Sequence, residues 1–165
     1  MQNQSEFLNV LANLPAEGLS IEDLATVNES TTGFSKTLGM RFTQLTPETV
    51  RAELHVSDGH LQITGIVNGG VYSSLAETAG SVAGLIAAKG QVVVGMNCNT
   101  DFLAPVSAGV IDLETKIIHA GSSTQLIKIK MYHRGKLVAR STLRTMVLNR
   151  PAPAPKKDKF EDFEG

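Results

Sequence analysis

The chain predicts an α+β fold in which an antiparallel sheet wraps round one long central helix. Three observations carry this. Residues 71–88 contain no proline and are small or aliphatic nearly all round, with Glu77 the one charge among them, which is the pattern of a buried helix. Two strand-like segments precede it, at 40–45 and 48–56, and four follow, at 91–103, 110–120, 124–132 and 136–148. Two strands, a long helix and four strands make a sheet packed around that helix.

Taken in order, residues 1–28 read as two short amphipathic helices. Phe7, Leu8 and Leu11 share a face of the first, which Pro15 ends. Ser20 caps the second, with Glu22 and Asp23 in its first turn. A lid or packing extension suits this segment better than a DNA-binding helix pair, because no Lys or Arg precedes Lys36. Residues 33–39 form a loop with a helical turn at 34–38, and Thr46-Pro47 turns the first strand into the second. There Val50, Ala52, Leu54 and Val56 alternate with Arg51, Glu53 and His55, the period of a half-buried strand. Lys89-Gly90 caps the long helix at its C-terminal end. Later, Ile127, Ile129 and Met131 alternate with Lys128, Lys130 and Tyr132, so one sheet face is wet. His133-Arg134-Gly135 is a hairpin turn, and 151–165 is a Pro/Ala-rich tail. The expected division is an N-terminal helical extension at 1–37, a main domain at 38–150 and a flexible tail at 151–165.

Chemistry concentrates around the entrance of the helix. The Gly69-Gly70 pair leaves backbone N–H groups unobstructed where the positive end of the helix dipole lies, a place suited to a phosphate or a developing oxyanion. Asn68-Gly69 is also an ordinary turn dipeptide. Glu77 is flanked by Leu75, Ala76, Thr78, Ala79 and Gly80, with no Lys or Arg at helical spacing. A buried carboxylate of this kind is costly unless hydrogen-bonded and is a candidate general base or nucleophile. Gly69 and Glu77 are 8 residues apart, about 12 Å of helix rise. One carbonyl group cannot touch both. If they act on the same group, they come from two copies of the helix lying antiparallel, which implies a homodimer with two equivalent sites.

These residues also carry a resemblance. Gln62, Gly69-Gly70, Glu77 and Ser81, with Gly-Ser-Val-Ala-Gly at positions 80–84, are similar to the hot-dog-fold acyl-CoA thioesterases. Within them the chain resembles the branch with a Glu on the central helix, which includes aryl-CoA thioesterases. The likeness covers roughly 38–148. It implies that Glu77 is the catalytic carboxylate, Gly69 or Gly70 the oxyanion N–H, Gln62 a group near the thioester and Ser81 a hydroxyl that positions water. Substrate-binding candidates are Asn68, His60, the Ser122-Ser123-Thr124 turn and, on charge grounds, Arg150. Where many relatives have His before the glycine pair, this chain has Asn68, which cannot exchange protons. The family often doubles its dimer to a homotetramer, a choice the sequence leaves open. Tyr72, Met96 and Phe102 suit an aromatic or a medium-chain acyl pocket equally. The alternative reading is a non-catalytic acyl-CoA-binding or dimerisation module of the same fold.

Composition narrows the rest. At 165 residues and 42% hydrophobic content, the chain is one domain able to bury a sizeable core. A net charge of −1 gives no broad basic field for nucleic acid. The single cysteine, Cys98, forms no internal disulfide, which fits a reducing cytoplasm. Residues 1–6 lack the basic and apolar regions of a signal peptide, and no apolar run reaches membrane-spanning length. A soluble cytoplasmic protein is expected. His55 and His60 lack further ligands for a metal site. Residues 65–70 are followed by no Lys-Ser or Lys-Thr and are no nucleotide loop, and no Gly-x-Ser-x-Gly elbow is present. No cofactor is expected beyond the CoA thioester as substrate.

Overall fold

The computed structural model describes residues 2–148. Arg150 and the 151–165 tail lie outside the described residues. Three helices open the chain: α1 (Gln2–Ala12), α2 (Ile21–Ser30) and α3 (Gly33–Leu38). Strands β1 (Met40–Leu45) and β2 (Val50–Val56) follow, then the central helix α4 (Gly69–Ala87). The chain then continues through β3 (Val92–Phe102), β4 (Gly109–Ala120), β5 (Thr124–His133) and β6 (Lys136–Leu148). The sheet order is β1-β2-β4-β5-β6-β3, and every pairing is antiparallel.

Alternation along the strands builds the core. Leu54, Ile111, Leu113, Ile127, Ile129, Met131 and Leu143 point to one sheet face and are buried beneath Leu75, Ala76, Ala79 and Ala83 of α4. Each such large side chain contributes about 1.5–3 kcal/mol by leaving water. Close seating of the helix depends on its glycines. A Cβ at Gly80 would lie 2.7 Å from Leu143 Cδ2, and one at Gly84 would lie 2.7 Å from Gln125 Oε1. Gln125 is itself buried, donating to the Gly84 carbonyl and accepting from the Thr145 hydroxyl. This polar clip beneath the second half of α4 has no signature in the sequence, where Gln125 reads as the start of a strand.

Ser20 caps α2 as expected, its hydroxyl accepting from the Asp23 N–H. Some boundaries shift for local reasons. α1 ends at Ala12, ahead of Pro15, where the Asn13 side chain donates to the Asn9 carbonyl. β2 starts at Val50 rather than residue 48, because the Thr46 hydroxyl accepts from the N–H groups of Glu48 and Thr49 and holds them in a turn. α4 begins at Gly69, two residues earlier than the apolar pattern indicates, with Asn68 as its N-cap. At its other end Ala88 is the C-cap, and Lys89 shares the left-handed conformation with Gly90.

β3 occupies one edge of the sheet. It pairs with β6 on one side only, bulges between Gly95 and Asn97, and exposes Val94 and Met96.

Candidate active site

The loop before α4 is folded tightly on itself. The N–H of Gln62 donates to the Ile66 carbonyl, that of Gly65 to the Gln62 carbonyl, and that of Val67 to the Val106 carbonyl. This places Gln62 beside the helix mouth, in an open cleft of about 520 Å³ that Gly69, Tyr72, Phe102 and Pro105 also line. Gln62 and Gly69 therefore line one cleft within a single chain.

The two glycines differ in what they offer. The Gly70 N–H donates to Asn68 Oδ1 at 2.8 Å, so the cap already engages it. No acceptor for the Gly69 N–H is found among the described residues. Gly69 is therefore the free donor at the positive end of α4. The Phe102 ring lies across it, since a Cβ there would be 2.7 Å from Phe102 Cζ. Asn68 presents its oxygen to the helix, and its Nδ2 group has no partner among the described residues.

Glu77 lies two turns further on. The Ser81 hydroxyl donates to Glu77 Oε1 at 3.2 Å, as an i, i+4 spacing allows. In the single chain Glu77 is exposed, which corrects the expectation of a carboxylate buried among apolar neighbours. Its neighbours on α4 are small, and small side chains do not enclose a long one. Glu77 leans towards the free edge of the sheet: a Cβ at Gly95 of β3 would be 3.5 Å from its Oε1.

His60 holds the local fold together. Its Nδ1 accepts from the Ser57 N–H at 3.0 Å, and its Nε2 donates to the Leu38 carbonyl at 3.0 Å. With both ring nitrogens engaged, it ties the 58–60 turn to the end of α3 and has none left for a ligand. Ser122 and Ser123 are exposed in the β4–β5 turn and Thr124 is half-buried at the start of β5, the turn being closed by the Gly121 N–H on the Thr124 carbonyl. That turn lies at the C-terminal end of α4, away from Gly69 of the same chain.

Two side chains gain further significance in three dimensions. Tyr72 is 3% exposed, packs at 6.0 Å between ring centroids on Phe102, and its hydroxyl has no partner among the described residues. Burial pushes its pKa up, so it stays protonated. The half-buried Cys98 thiol is pushed up first by burial and further by the Glu77 charge, against a hydrogen bond from Thr100. A protonated thiol is a poor nucleophile. Met96, unlike Tyr72 and Phe102, does not line the cleft and sits exposed on β3. Among the described residues no group of three or more His, Cys, Asp or Glu is arranged to hold a metal ion. No helix there is long and apolar enough to cross a membrane.

A family model described as the thioesterase superfamily matches residues 64–139, a span that contains Gly69, Glu77, Ser81 and the 122–124 turn. Among solved structures, thioesterase HI1161 of Haemophilus influenzae superposes with a TM-score of 0.73 at 28% identity, covering 83% of this chain and 96% of that one. Among sequences, the proofreading thioesterase EntH of Klebsiella pneumoniae is 36% identical over 113 residues, 67% of this chain and 82% of that protein. The chain belongs to the thioesterase superfamily. The 1,4-dihydroxy-2-naphthoyl-CoA hydrolase of Escherichia coli is a further relative of this thioesterase, 33% identical over 113 residues, 67% of this chain and 83% of that one. Its sheet and central helix form the hot-dog fold.

Proposed function

We propose that this thioesterase hydrolyses a CoA thioester with an aryl or medium-chain acyl group, at two composite sites in a homodimer. One observation carries the reading: a single rigid helix presents an unengaged N–H at Gly69 and a Glu77–Ser81 pair 8 residues later, about 12 Å apart. The relatives named for thioester chemistry support the reaction class.

The free edge of β3 supports the pairing. From Val92 to Thr100 it carries neither charge nor proline, although natural edge strands are usually protected by one or the other. A second copy added antiparallel along this edge covers it. Gly69 lies under Phe102 at one end of β3, and Glu77 lies over Gly95 towards the other. A twofold axis near Cys98 therefore sets the Gly69 end of one protomer against the Glu77 end of its partner. A homotetramer would repeat these sites.

In each site the thioester oxygen accepts from Gly69 N–H of one protomer, with Gln62 alongside. Glu77 of the other protomer either attacks the carbonyl carbon or removes a proton from a water held by Ser81. Negative charge gathers on the oxygen at the helix mouth. The C–S bond then breaks and the thiolate leaves without needing a strong acid. In the first route water then hydrolyses the mixed anhydride, restoring Glu77 and releasing the acid. Water, a carboxylate and an N–H donor suffice, so we assign no cofactor. Asn68 Nδ2 and the 122–124 turn remain available for the rest of CoA, and a reducing cytoplasm is the proposed setting.

The test is steady-state thiol release from benzoyl-, 4-hydroxybenzoyl-, 1,4-dihydroxy-2-naphthoyl-, hexanoyl- and palmitoyl-CoA. Wild type is expected to turn over at least one, and Glu77→Ala to lose about 10²–10⁴-fold in kcat. Gly69→Pro is the matching probe of the donor. Proline is favoured at the first helical position, and Asn68, at φ −64° and ψ 139°, already has the conformation that precedes proline. This variant should keep its fold and lose about 10²–10³-fold in kcat. Wild type and Glu77→Ala equally slow on every ester would overturn the hydrolase and favour an acyl-CoA-binding or dimerisation module.

A further inference from the structure

Strand β4 overruns its neighbour. The register with β2 stops at Arg51 opposite Glu114, and the Val50 N–H donates to the Thr115 hydroxyl, whereas β4 continues to Ala120. Residues 116–120 therefore pair with β5 on one side and with no strand among the described residues on the other. The gap is a groove of about 720 Å³ between this uncovered edge, the 47–49 turn and Ala87 at the end of α4.

Its charge is one-sided. Arg51, Lys116, Lys128 and Lys130 line it against two acids, Glu48 and Glu114, and Glu114 is already engaged by Arg51 and by the Tyr132 hydroxyl. Lys116 and Lys128 stand directly opposite one another in the β4–β5 register, an unfavourable like-charge pair. None of the three lysines has an ion-pair partner among the described residues. The apolar part of the lining includes Ala87, Ile117 and Ile118, the last of these 52% exposed.

An extended acidic segment with aromatic side chains, added to β4 as a strand, matches such a groove. The chain carries one at 158–164, Asp-Lys-Phe-Glu-Asp-Phe-Glu, with four acids to one lysine. Its attachment point lies at the right end of the sheet. β6 ends at Leu148, just past the Val147 N–H that donates to the Ser123 carbonyl in the β4–β5 turn. Ala120 is level with Thr145 through Gln125, so Leu148 lies three strand spacings across and three residues along from the groove mouth, about 17 Å. Residues 149–157, with prolines at 151, 153 and 155, can span about 28 Å in polyproline geometry. The segment then enters from the Ala120 end and runs antiparallel to β4.

We infer that residues 158–164 fill this groove of their own chain as an added antiparallel strand on the uncovered edge of β4. Setting Phe163 beside Ile117 places Glu164 opposite Lys116 and Glu161 opposite His119. By alternation, Asp162 then shares the lysine face with Glu164. An open strand edge is a template for pairing with another chain, and the segment closes it from within.

Amide hydrogen exchange on the full chain, followed by NMR at low ionic strength, is the test. The N–H groups of 116–120 that point away from β5 are expected to exchange at least about 10-fold more slowly in wild type than in Asp162→Lys with Glu164→Lys. Adding Lys116→Glu and Lys128→Glu to that variant should restore the protection. A nitroxide on Gly165→Cys, in a Cys98→Ala background, should broaden the Ile117 and Ile118 methyls. The methyls of Val71, about 24 Å from Ala87 along α4, should stay sharp. Equal exchange rates in wild type and the charge-reversed variant would overturn the inference: slow in both means that another occupant, such as a second copy, covers the edge, and fast in both means that the groove is open. Broadening seen only between spin-labelled and isotope-labelled chains in a mixture would place the segment on a partner and overturn the same-chain reading.

Discussion

Tyr72 carries a feature that the structure alone reveals. In the sequence it is a candidate aromatic lining of an acyl pocket, and the cleft does include it. In the fold its hydroxyl has no partner among the described residues, and a buried polar group left unpaired costs about 1–3 kcal/mol. Tyr72→Phe is therefore expected to raise unfolding stability at neutral pH, by about 1 kcal/mol, measured by urea denaturation. A loss of stability instead would mean that the hydroxyl has a partner in the assembled protein. The same burial makes stability pH-dependent. Folding holds both Cys98 and Tyr72 protonated, whereas the unfolded chain releases these protons from about pH 9 and pH 10 respectively. The unfolded state then binds fewer protons, so stability is present below pH 9 and falls as pH rises above it. Cys98→Ala should remove the earlier part of that fall and Tyr72→Phe the later part. Gly69 and Glu77 stand out in the sequence as a glycine pair at a helix entrance and a lone carboxylate among small residues, whereas Gln62 enters only through the resemblance. An orphaned hydroxyl depends on what surrounds it, which spacing does not record.

At the scale of elements, α4 is positioned by what it lacks. Gly80 rests on Leu143, a side chain 1% exposed and enclosed on all sides. Gly80→Ala gains about 1 kcal/mol of helix propensity but forces a methyl group into that contact, at about 1–3 kcal/mol. A net loss of stability is expected in thermal or chemical unfolding, and a gain would show that the helix can ride higher on the sheet. Gly69 behaves differently, because the ring it meets, Phe102, is 57% exposed and free to swing aside. Substitution there should leave stability intact and act on catalysis. The existence of all six strands was legible, most clearly in β2 and β5 where inward-facing Val, Leu, Ile and Met alternate with polar residues, whereas their order in the sheet was not. Boundaries were less so wherever a side chain captured backbone groups, as Thr46 does before β2 and Asn68 does before α4.

For the whole molecule, the bare edge of β3 and the length of α4 point to the same assembly. The dimer was inferred from an 8-residue spacing, yet the surface that supports it, Val94 and Met96 on an unpaired strand, is visible only once β3 is placed at the edge rather than mid-sheet. Val94→Lys with Met96→Lys is expected to yield monomers in sedimentation and to abolish turnover while the secondary structure persists. A dimer that survives both charges would place the interface elsewhere. Co-expressed Glu77→Ala and Gly69→Pro chains provide the complementary test. Mixed pairs keep one intact site and should recover activity that neither variant has alone.

The separation of Gly69 from Glu77 along α4 also governs how turnover scales with enzyme concentration. No single chain can bring both groups to one carbonyl. Below the dissociation constant of the proposed dimer, rate should rise with the square of enzyme concentration, and above it linearly. Specific activity measured at nanomolar enzyme would then report association as much as chemistry. A saturating substrate that bridges the two protomers would hold them together, so the protein would be at its most active where its ligand is abundant enough to assemble it.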